Sequence, residues 1–535
     1  MVNSSIRRLV KLSRQQQLRP LLPLVSVLLV LLLVACGGGS STNQTSSTTV
    51  KKGGNIVVGL DSDVVTLDPL NSSALVDREV MLNIYDTLVK VNAQNEIEPD
   101  LATSWQYKSP TQLVFTLRTD VKFQDGTPFN ADAVVFNINR ILTTPSSPRY
   151  SEISDVQSVT AIDSSHVQFN LKAPFSPLLA ALTDRAGMIL SPTAVQKLGA
   201  NLANAPTNAG SGPFEFVDWV KGDHLTIQRN PHYWQKDSQG NQLPYLQSIR
   251  YRPITNGSVM FSNLETGNIN VAEDLDPTDV ASAQSNSSLI YKQIPGLSFY
   301  GFMLNVKAAP LDNVHVRRAI EWAVNRQEIV TSVLKNVGVV AQGPISPSSW
   351  AYDSSFAPYS YNISQAKAEL AQAGDAKGVT FTMLIASGSP LNTQEAQFIQ
   401  AELQPAGITM NIKQETFATL LSDTNAHNFQ AALLGWSGRP DPDGNMYSWF
   451  HTGGGFNNMQ YSNPQVDKLL EDARTSTDQS QRTTDYQQAE KLILQDAPYV
   501  FINHGVSVQA TTSNIKNFTI LPTSIMEFLN VYVGS

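Results

Sequence analysis

The stretch LRTDVKFQDGTPFNADAVVFNINRIL at residues 117–142 contains three structural signals in succession. It begins at the end of an alternating apolar segment, 113–118, which is typical of a half-buried strand. Asp125 and Gly126 then mark a turn. Asn130 precedes apolar residues at helical spacing, so its side chain can accept a hydrogen bond from the first helical turn. The stretch therefore predicts a strand, a turn and a capped helix.

Further strands are indicated on both sides of this stretch. NIVVGL at 55–60 is a short apolar run typical of a buried strand, and HVQFNL at 166–171 alternates as a half-buried strand does. FTMLIA at 381–386 is a third candidate, in a part of the chain where helical patterns dominate. The strands are therefore distributed along the whole chain.

Helical patterns are most frequent in the second half of the chain. DNVHVRRAIEWAVNRQEIVTSVL at 312–334 predicts a helix capped by Asp312. NTQEAQFIQAELQPAGI at 392–408 predicts another, with Asn392 and Glu395 at the spacing of a capping box. Because strands and helices alternate, the sequence predicts an α/β fold.

Length and charge restrict the function classes. A mature chain of about 500 residues exceeds what one hydrophobic core supports, so two or three lobes are expected. The net charge of the full sequence is −8. Residues 1–35 contain five basic residues and no acidic residue, so the chain without them has a net charge of −13. An acidic body argues against nucleic acid as a partner, since that partner requires clustered Lys and Arg.

The N-terminal segment has the features of a secretory signal peptide at 1–35: a basic start, then the apolar run 21–35, which ends in a small residue. LVAC at 33–36 resembles the lipobox of bacterial lipoproteins, which are cut before the cysteine and lipidated on it. This resemblance implies that Cys36, the chain's single cysteine, carries a lipid. A transmembrane anchor is the alternative, and the shortness of the run argues against it. Residues 36–50, rich in Gly, Ser and Thr, predict a flexible linker.

Nine stretches, taken in order, resemble the extracellular solute-binding proteins of family 5, the peptide/nickel-type receptors of ABC importers. They are TLDP (66–69), IYDTLV (84–89), EPDLATSW (98–105), 117–142, GSGPFEF (210–216), RNPHYW (229–234), LDNVHVRRAIEWAVNRQEIV (311–330), YNISQAKAELAQAG (361–374) and GWSGRPDPD (435–443).

The resemblance implies a periplasmic-binding-protein-like fold, with two lobes joined by a hinge and an extra domain inserted early. The implied bounds are 51–84, 208–298 and 512–535 for lobe I, 85–207 for the inserted domain and 299–511 for lobe II. The lobes would close on a small solute and deliver it to a membrane permease with its ATPase. The protein would be exported and held by lipidated Cys36 at the outer face of the membrane.

An oligopeptide or dipeptide is the first solute that the resemblance suggests. Oligosaccharides, opines and metal chelates are alternatives within the family, and a sensory role is an alternative to delivery. An exported hydrolase is a further alternative, but the sequence offers no paired acid and base and no activated nucleophile.

The loop 435–449 is the first candidate for solute binding, since it lines the family's cleft. Trp436 offers a flat apolar face, Arg439 offers paired donors for a carboxylate, and Asp441 or Asp443 offers a partner for an amine. In peptide-binding members, an aspartate in this loop holds the peptide's amino terminus. Arg439 and the following proline occupy that stretch here, which leaves Asp441 as a substitute.

Two further stretches are candidates by the same resemblance. Asp63 and Val65 lie before TLDP, where peptide binders offer backbone groups to an extended ligand. Tyr300 lies at the expected crossing into the second lobe, where an aromatic ring could stack on a solute.

The sequence predicts neither a cofactor nor a protein-bound metal. The segment that starts at Asp441 has its glycine at the fourth position of a calcium loop, which needs glycine at the sixth, and Thr452 stands where glutamate is needed. The histidines show no HExxH pairing and no nearby cysteine, so a zinc site is not indicated.

Overall fold

Two mixed sheets and a smaller antiparallel sheet organise the chain in a computed structural model that describes residues 53–534. The described residues belong to one compact unit. The predicted signal peptide, Cys36 and the linker 36–50 lie outside the described residues. No helix within 53–534 is long and apolar enough to cross a membrane.

The first sheet is centred on the predicted strand Asn55–Leu60, which pairs in parallel with Ser248–Pro253 and Val271–Ala272. Its apolar side chains, such as Ile56 and Val58, are fully buried in the core of this lobe. The spatial order of the described strands is Leu289–Pro295, Val506–Thr512, Val271–Ala272, Asn55–Leu60, Ser248–Pro253, His224–Arg229 and Phe214–Val220.

The second sheet contains the predicted strand at 381–386, which extends over Val379–Ala386. This strand pairs in parallel with Ile408–Glu415 and Ala431–Leu433. The spatial order of the described strands is Val339–Val340, Tyr499–His504, Tyr300–Leu304, Ala431–Leu433, Val379–Ala386 and Ile408–Glu415. Parallel strands packed between helices confirm the α/β class.

The opening stretch folds as predicted. Its strand is Gln112–Leu117, and its helix is Ala131–Leu142, with the Asn130 side chain accepting a hydrogen bond from the Ala133 N–H at 3.0 Å. Gly126 has φ +86°, a conformation that glycine adopts without strain. The antiparallel sheet beside this helix has the described strands Ala102–Ser109, Gln112–Leu117, His166–Leu171 and Val156–Asp163.

The remaining described elements are helices and short strand pairs. The other α-helices are Leu75–Ile84, Pro148–Glu152, Leu178–Ala181, Pro192–Leu198, Gly257–Glu265, Val280–Ser285, Val314–Ala323, Arg326–Glu328, Ile363–Gln372, Pro390–Leu403, Phe417–Asn425, Asp443–Phe450, Pro464–Thr475 and Gln479–Asp496. Short helical turns are Arg185–Gly187, Gly199–Ala203, Ile329–Val333 and Gln404–Ala406. The short strand pairs are Val89–Val91 with Ile97–Pro99, Ile515–Lys516 with Tyr532–Val533, and Thr519–Ile520 with Met526–Glu527.

The helix predicted at 312–334 is interrupted. Its first part is Val314–Ala323, and it begins at Asn313, whose side chain accepts a hydrogen bond from the His315 N–H, so Asp312 is not the cap. Asn325 then starts a new turn by accepting a hydrogen bond from the Glu328 N–H. Hydrogen bonds from the local backbone to these side chains thus interrupt the helix, although the apolar residues keep a continuous helical spacing.

The chain crosses between the two mixed sheets at two places that lie together. One crossing follows Leu289–Pro295 and leads into Tyr300–Leu304, and the other is Gly505. His504 at the second crossing hydrogen bonds through Nδ1 to the Ser298 carbonyl at the first, at 3.0 Å. From the sequence, residues 506–511 were expected in lobe II, but their strand pairs with the first sheet. The C-terminal boundary of lobe II is therefore corrected from residue 511 to Gly505. The other domain bounds stay a prediction.

Candidate functional site

A cavity of about 710 Å³ lies between the two mixed sheets. One wall comes from residues that follow the parallel strands of the first sheet, at 61–65, 254–257 and 274–276. The other wall comes from residues that follow the parallel strands of the second sheet, including 386–392 and 416–420. Ligands of open α/β sheets bind outside the carboxyl ends of the strands, and here two such edges face each other. We call this cavity the interlobe cleft.

The charged side chains in the lining of the interlobe cleft are mostly acidic. Within the described lining, the acids are Asp61, Asp63, Asp274, Asp276 and Glu395, and the single base is Lys221. Burial, followed by the charge of Asp61, raises the pKa of Asp274 to about 7. Apolar groups such as Val65, Leu420 and Leu434 fill the intervening surface. The cleft thus combines an apolar surface with an excess of negative charge.

Three of the sequence-predicted site residues line the interlobe cleft. Asp63 accepts hydrogen bonds from the Gly222 N–H at 2.7 Å and from Trp219 Nε1 at 3.4 Å. The Val65 N–H donates to Asp77 Oδ1 at 2.7 Å, so this donor is already engaged. Tyr300 is 39% exposed and lies at the crossing into the second sheet. Contact of these residues with a solute stays a prediction.

Trp436 lies in an aromatic cluster outside the cleft lining. Its side chain is 5% exposed, and its Nε1 donates to Asn445 Oδ1 at 3.0 Å. Its ring packs against Phe456 with a centroid separation of 4.8 Å and against Trp449 at 5.4 Å. The ring is therefore already buried against other side chains of the protein.

Arg439 forms an ion pair that joins the loop to the segment 85–207. Its Nε lies 3.2 Å from Asp184 Oδ2, and its guanidinium stacks over the Trp436 ring at 4.1 Å. Burial by itself raises the pKa of Asp184, but the charges of Arg439, Arg78 and Arg185 together hold that pKa below its usual value. Arg439 is 7% exposed, so its charge is used inside the protein.

Asp441 and Asp443 also form ion pairs within the protein. Asp441 Oδ1 accepts from Arg482 Nη2 at 2.7 Å, and Asp443 accepts from Arg474 Nε and Nη2 at 2.8 and 2.9 Å. Together with Trp436 and Arg439, these side chains are not part of the described lining of the cleft, and their contact with a solute stays a prediction. Of the predicted loop 435–449, the backbone of Gly435 is the part that reaches the lining.

The sequence predicts that Glu395 belongs to a capping box, but in the structure this residue lines the interlobe cleft. The helix begins earlier, with Ser389 Oγ accepting from the Asn392 N–H at 3.2 Å. Glu395 therefore lies beyond the first turn and is free to face the cleft. Its position after the strand Val379–Ala386 was the signal that could have identified it, because cleft residues follow parallel strands.

No group of three or more His, Cys, Asp and Glu side chains in the described part of the chain is arranged to hold a metal ion.

Comparison with known proteins gives consistent matches. The sequence profile described as bacterial extracellular solute-binding proteins, family 5 Middle, matches residues 96–457. The probable D,D-dipeptide-binding periplasmic protein DdpA of Escherichia coli K12 is 31% identical over 87% of this chain and 92% of its own length.

Solved structures resemble the fold over nearly the whole chain. The periplasmic binding protein DppA from Helicobacter pylori, in complex with the peptide STSA, has a TM-score of 0.83 at 27% identity, covering 91% of this chain and 99% of that one. The oligopeptide-binding protein AppA from Bacillus subtilis, in complex with a nonapeptide, has a TM-score of 0.83 at 25% identity, covering 91% and 100%.

Proposed function

This chain belongs to the bacterial extracellular solute-binding proteins of family 5, and we propose that it captures a short peptide in the interlobe cleft and delivers it to an ABC importer. The observation that carries the proposal is the cleft itself, formed by the carboxyl ends of parallel strands from two sheets. Its volume of about 710 Å³ falls in the range of about 300–1,000 Å³ in which proteins hold small ligands.

The relatives support a peptide as the solute. DdpA is named for a D,D-dipeptide, and the two solved structures contain a peptide of four or nine residues. The cleft offers what a peptide needs, namely apolar surface for side chains and charged groups for its ends. Asp63, Val65 and Tyr300 are the predicted contacts that line it.

The proposed mechanism is capture by closure, without a chemical step. Two crossings connect the mixed sheets, so a change of backbone angles at 296–298 and at Gly505 would move one lobe against the other. A solute that contacts both walls favours the closed state in proportion to its differential affinity. The importer would then distinguish the loaded receptor by its closed shape.

We further propose that residues 1–35 direct export and that Cys36 is lipidated. A lipid would keep the receptor near its importer and so raise the local concentration without any new protein contact. The support is the sequence at 33–36 together with the periplasmic location in the name of DdpA. Mass spectrometry of the N-terminal peptide of the exported protein tests this, since an unmodified Cys36 would contradict it.

The function is tested by measuring the unfolding temperature of the exported protein with a panel of solutes. The panel contains di- to pentapeptides, oligosaccharides, an opine and a nickel–histidine chelate. A bound solute stabilises the folded state by about 2.7 kcal/mol at a hundredfold excess over Kd, which a thermal shift detects. We expect shifts with peptides. A panel in which no peptide raises the unfolding temperature would overturn the peptide assignment, and a shift with another class would replace it.

A further inference from the structure

Glu395 is a buried carboxyl group in the wall of the interlobe cleft, and no described residue is a partner for its charge. Its side chain lies on the helix Pro390–Leu403, and the residue is 8% exposed. Oε1 is fully buried and has no hydrogen-bond partner among residues 53–534. Burial alone raises the pKa of Glu395 to about 7, and no cation or donor in the described part of the chain offsets it.

Several other acids of the same lobe are held by partners. Asp443 is held by two bonds from Arg474, and Asp441 by one from Arg482. Glu402, on the same helix as Glu395, accepts a hydrogen bond from the Asn325 N–H at 2.9 Å. Buried carboxyl oxygens without a partner also occur away from the cleft, on Glu79, Glu273, Glu321, Glu415 and Asp485. Among the acids of the described cleft lining, however, Glu395 is the one with such an oxygen, and its place in the cleft suggests an explanation.

The cost of this arrangement favours an external partner. A buried carboxylate without a hydrogen bond or counter-charge destabilises the folded state, whereas an apolar side chain of similar size would not, and the neutral amide of glutamine would cost less than the charge. A solute that enters the cleft with a cationic donor group would remove this cost on binding. Because burial weakens the competition from water, such a contact is stronger than one at the surface.

The surrounding charges favour the same kind of solute group. The described lining contains five acidic side chains and one basic side chain, Lys221, so it attracts positive charge. On the loop where the sequence suggested an amine site, Asp441 and Asp443 are paired with Arg482 and Arg474 and add no acid to the described cleft lining. The amine partner must therefore come from another element.

We propose that Glu395 binds a protonated amino group of the solute and so selects peptides with a free amino terminus. This proposal rests on the peptide-binding function proposed above and adds the group that is recognised and the residue that recognises it. The amine site lies on the helix Pro390–Leu403, across the cleft from the acids that follow the strands of the first sheet.

The test uses a pool of di- to pentapeptides, in which each peptide is present both with a free amino terminus and N-acetylated. The exported full-length protein is incubated with the pool, and retained peptides are identified by mass spectrometry after gel filtration. We expect the wild-type protein to retain free-amine members over their acetylated forms. Glu395→Gln should weaken binding of the best member by about tenfold or more and remove the discrimination.

The matched control is Glu402→Gln, which makes the same chemical change on the same helix outside the cleft lining. This variant should keep both the affinity and the discrimination. In the absence of peptide, Glu395→Gln should unfold at the same temperature as the wild type or higher at pH 8, because it removes an uncompensated buried charge. Glu402→Gln controls for selectivity and not for this stability comparison, because burial also raises the pKa of Glu402 to about 7.

The outcomes separate the two proposals. Retention of acetylated and free peptides alike by the wild type, or unchanged selectivity in Glu395→Gln, overturns the role of Glu395 and leaves peptide binding intact. A lower unfolding temperature of peptide-free Glu395→Gln at pH 8 shows a structural partner and also overturns it. If the wild type retains no member of the pool, peptide binding itself fails and the role of Glu395 fails with it.

Discussion

At the scale of single residues, Glu395 differs from the acids of the loop 435–449 because no cation of the described residues lies within its reach. Asp184 and Asp443 are buried beside arginines, Asp441 is half-buried beside one, and all three hold parts of the structure together. Glu395 is equally buried but has no such neighbour among the described residues. A sequence motif gives the type of a residue but not its distance from a cation. That distance is what separates the acids that form ion pairs from Glu395.

The ion pairs of Asp184 lead to a prediction about stability. Asp184 accepts from Arg78 Nη1 at 3.0 Å and lies 3.2 Å from Arg439 Nε. Asp184→Asn leaves these buried guanidinium groups without their counter-charge, so we expect a loss of about 3–5 kcal/mol in the free energy of unfolding. Denaturant unfolding of the purified protein measures this loss.

An exposed ion pair provides the control. Asp120 bonds to Arg118 at 2.7 Å, but its side chain is 59% exposed. Water and salt screen such pairs, so Asp120→Asn should change the free energy of unfolding by about 1 kcal/mol or less. Equal losses in the two variants would contradict the role given to the Asp184 ion pairs.

At the scale of elements, the start of a helix determines which of its residues face a neighbour. The sequence predicted that Asn392 begins the helix and that Glu395 closes a capping box. The helix is Pro390–Leu403, and Ser389 is its N-cap, so Glu395 falls in the second turn and faces the cleft. Proline is favoured in the first turn, where its missing N–H has no partner to lose, and this preference moves the start upstream.

The position of this cap can be tested by comparing two alanine variants. Ser389→Ala removes the oxygen that accepts from the Asn392 N–H, so we expect a loss of about 1 kcal/mol in the free energy of unfolding. Asn392→Ala should cost less, because Asn392 contributes its backbone N–H to the cap and keeps it. Chemical denaturation in the absence of solute compares the two. A larger loss in Asn392→Ala would restore the capping box predicted from the sequence.

At the scale of the whole molecule, the fold was more predictable from the sequence than the site. Apolar periodicity is a local property, so the strands at 55–60 and 166–171 and the helix after Asn130 could be predicted. The sheet to which a strand belongs is not local. Val506–Thr512 follows Tyr499–His504 after one glycine and yet joins the other sheet. The cleft depends on such long-range pairing, and so its lining could be predicted only in part.

The balance of buried acids over the whole molecule determines how stability depends on pH. Burial raises the pKa of Asp100 to about 8, with Asp86 adding to the shift, and it raises the pKa of Glu490 to about 8 and that of Glu395 to about 7. The pKa of each group in the folded state lies above its pKa of about 4 in the unfolded state. Between these two pH values the folded state therefore binds more protons than the unfolded state. The contribution of these groups to the free energy of unfolding is fully present below about pH 4 and is lost as the pH rises through 7 to 8.

His504 acts in the opposite direction over a lower range. Burial lowers its pKa to about 4, so its contribution rises between about pH 4 and 6.5 and is constant above that. Between pH 6.5 and 8.5 the carboxyl groups therefore determine the slope. We expect the unfolding temperature to be lower at pH 8.5 than at 6.5, measured by calorimetry without solute. Glu490→Gln should reduce this difference, because its amide does not ionise, and an unfolding temperature that rises over the same range in the wild type would contradict the assignment.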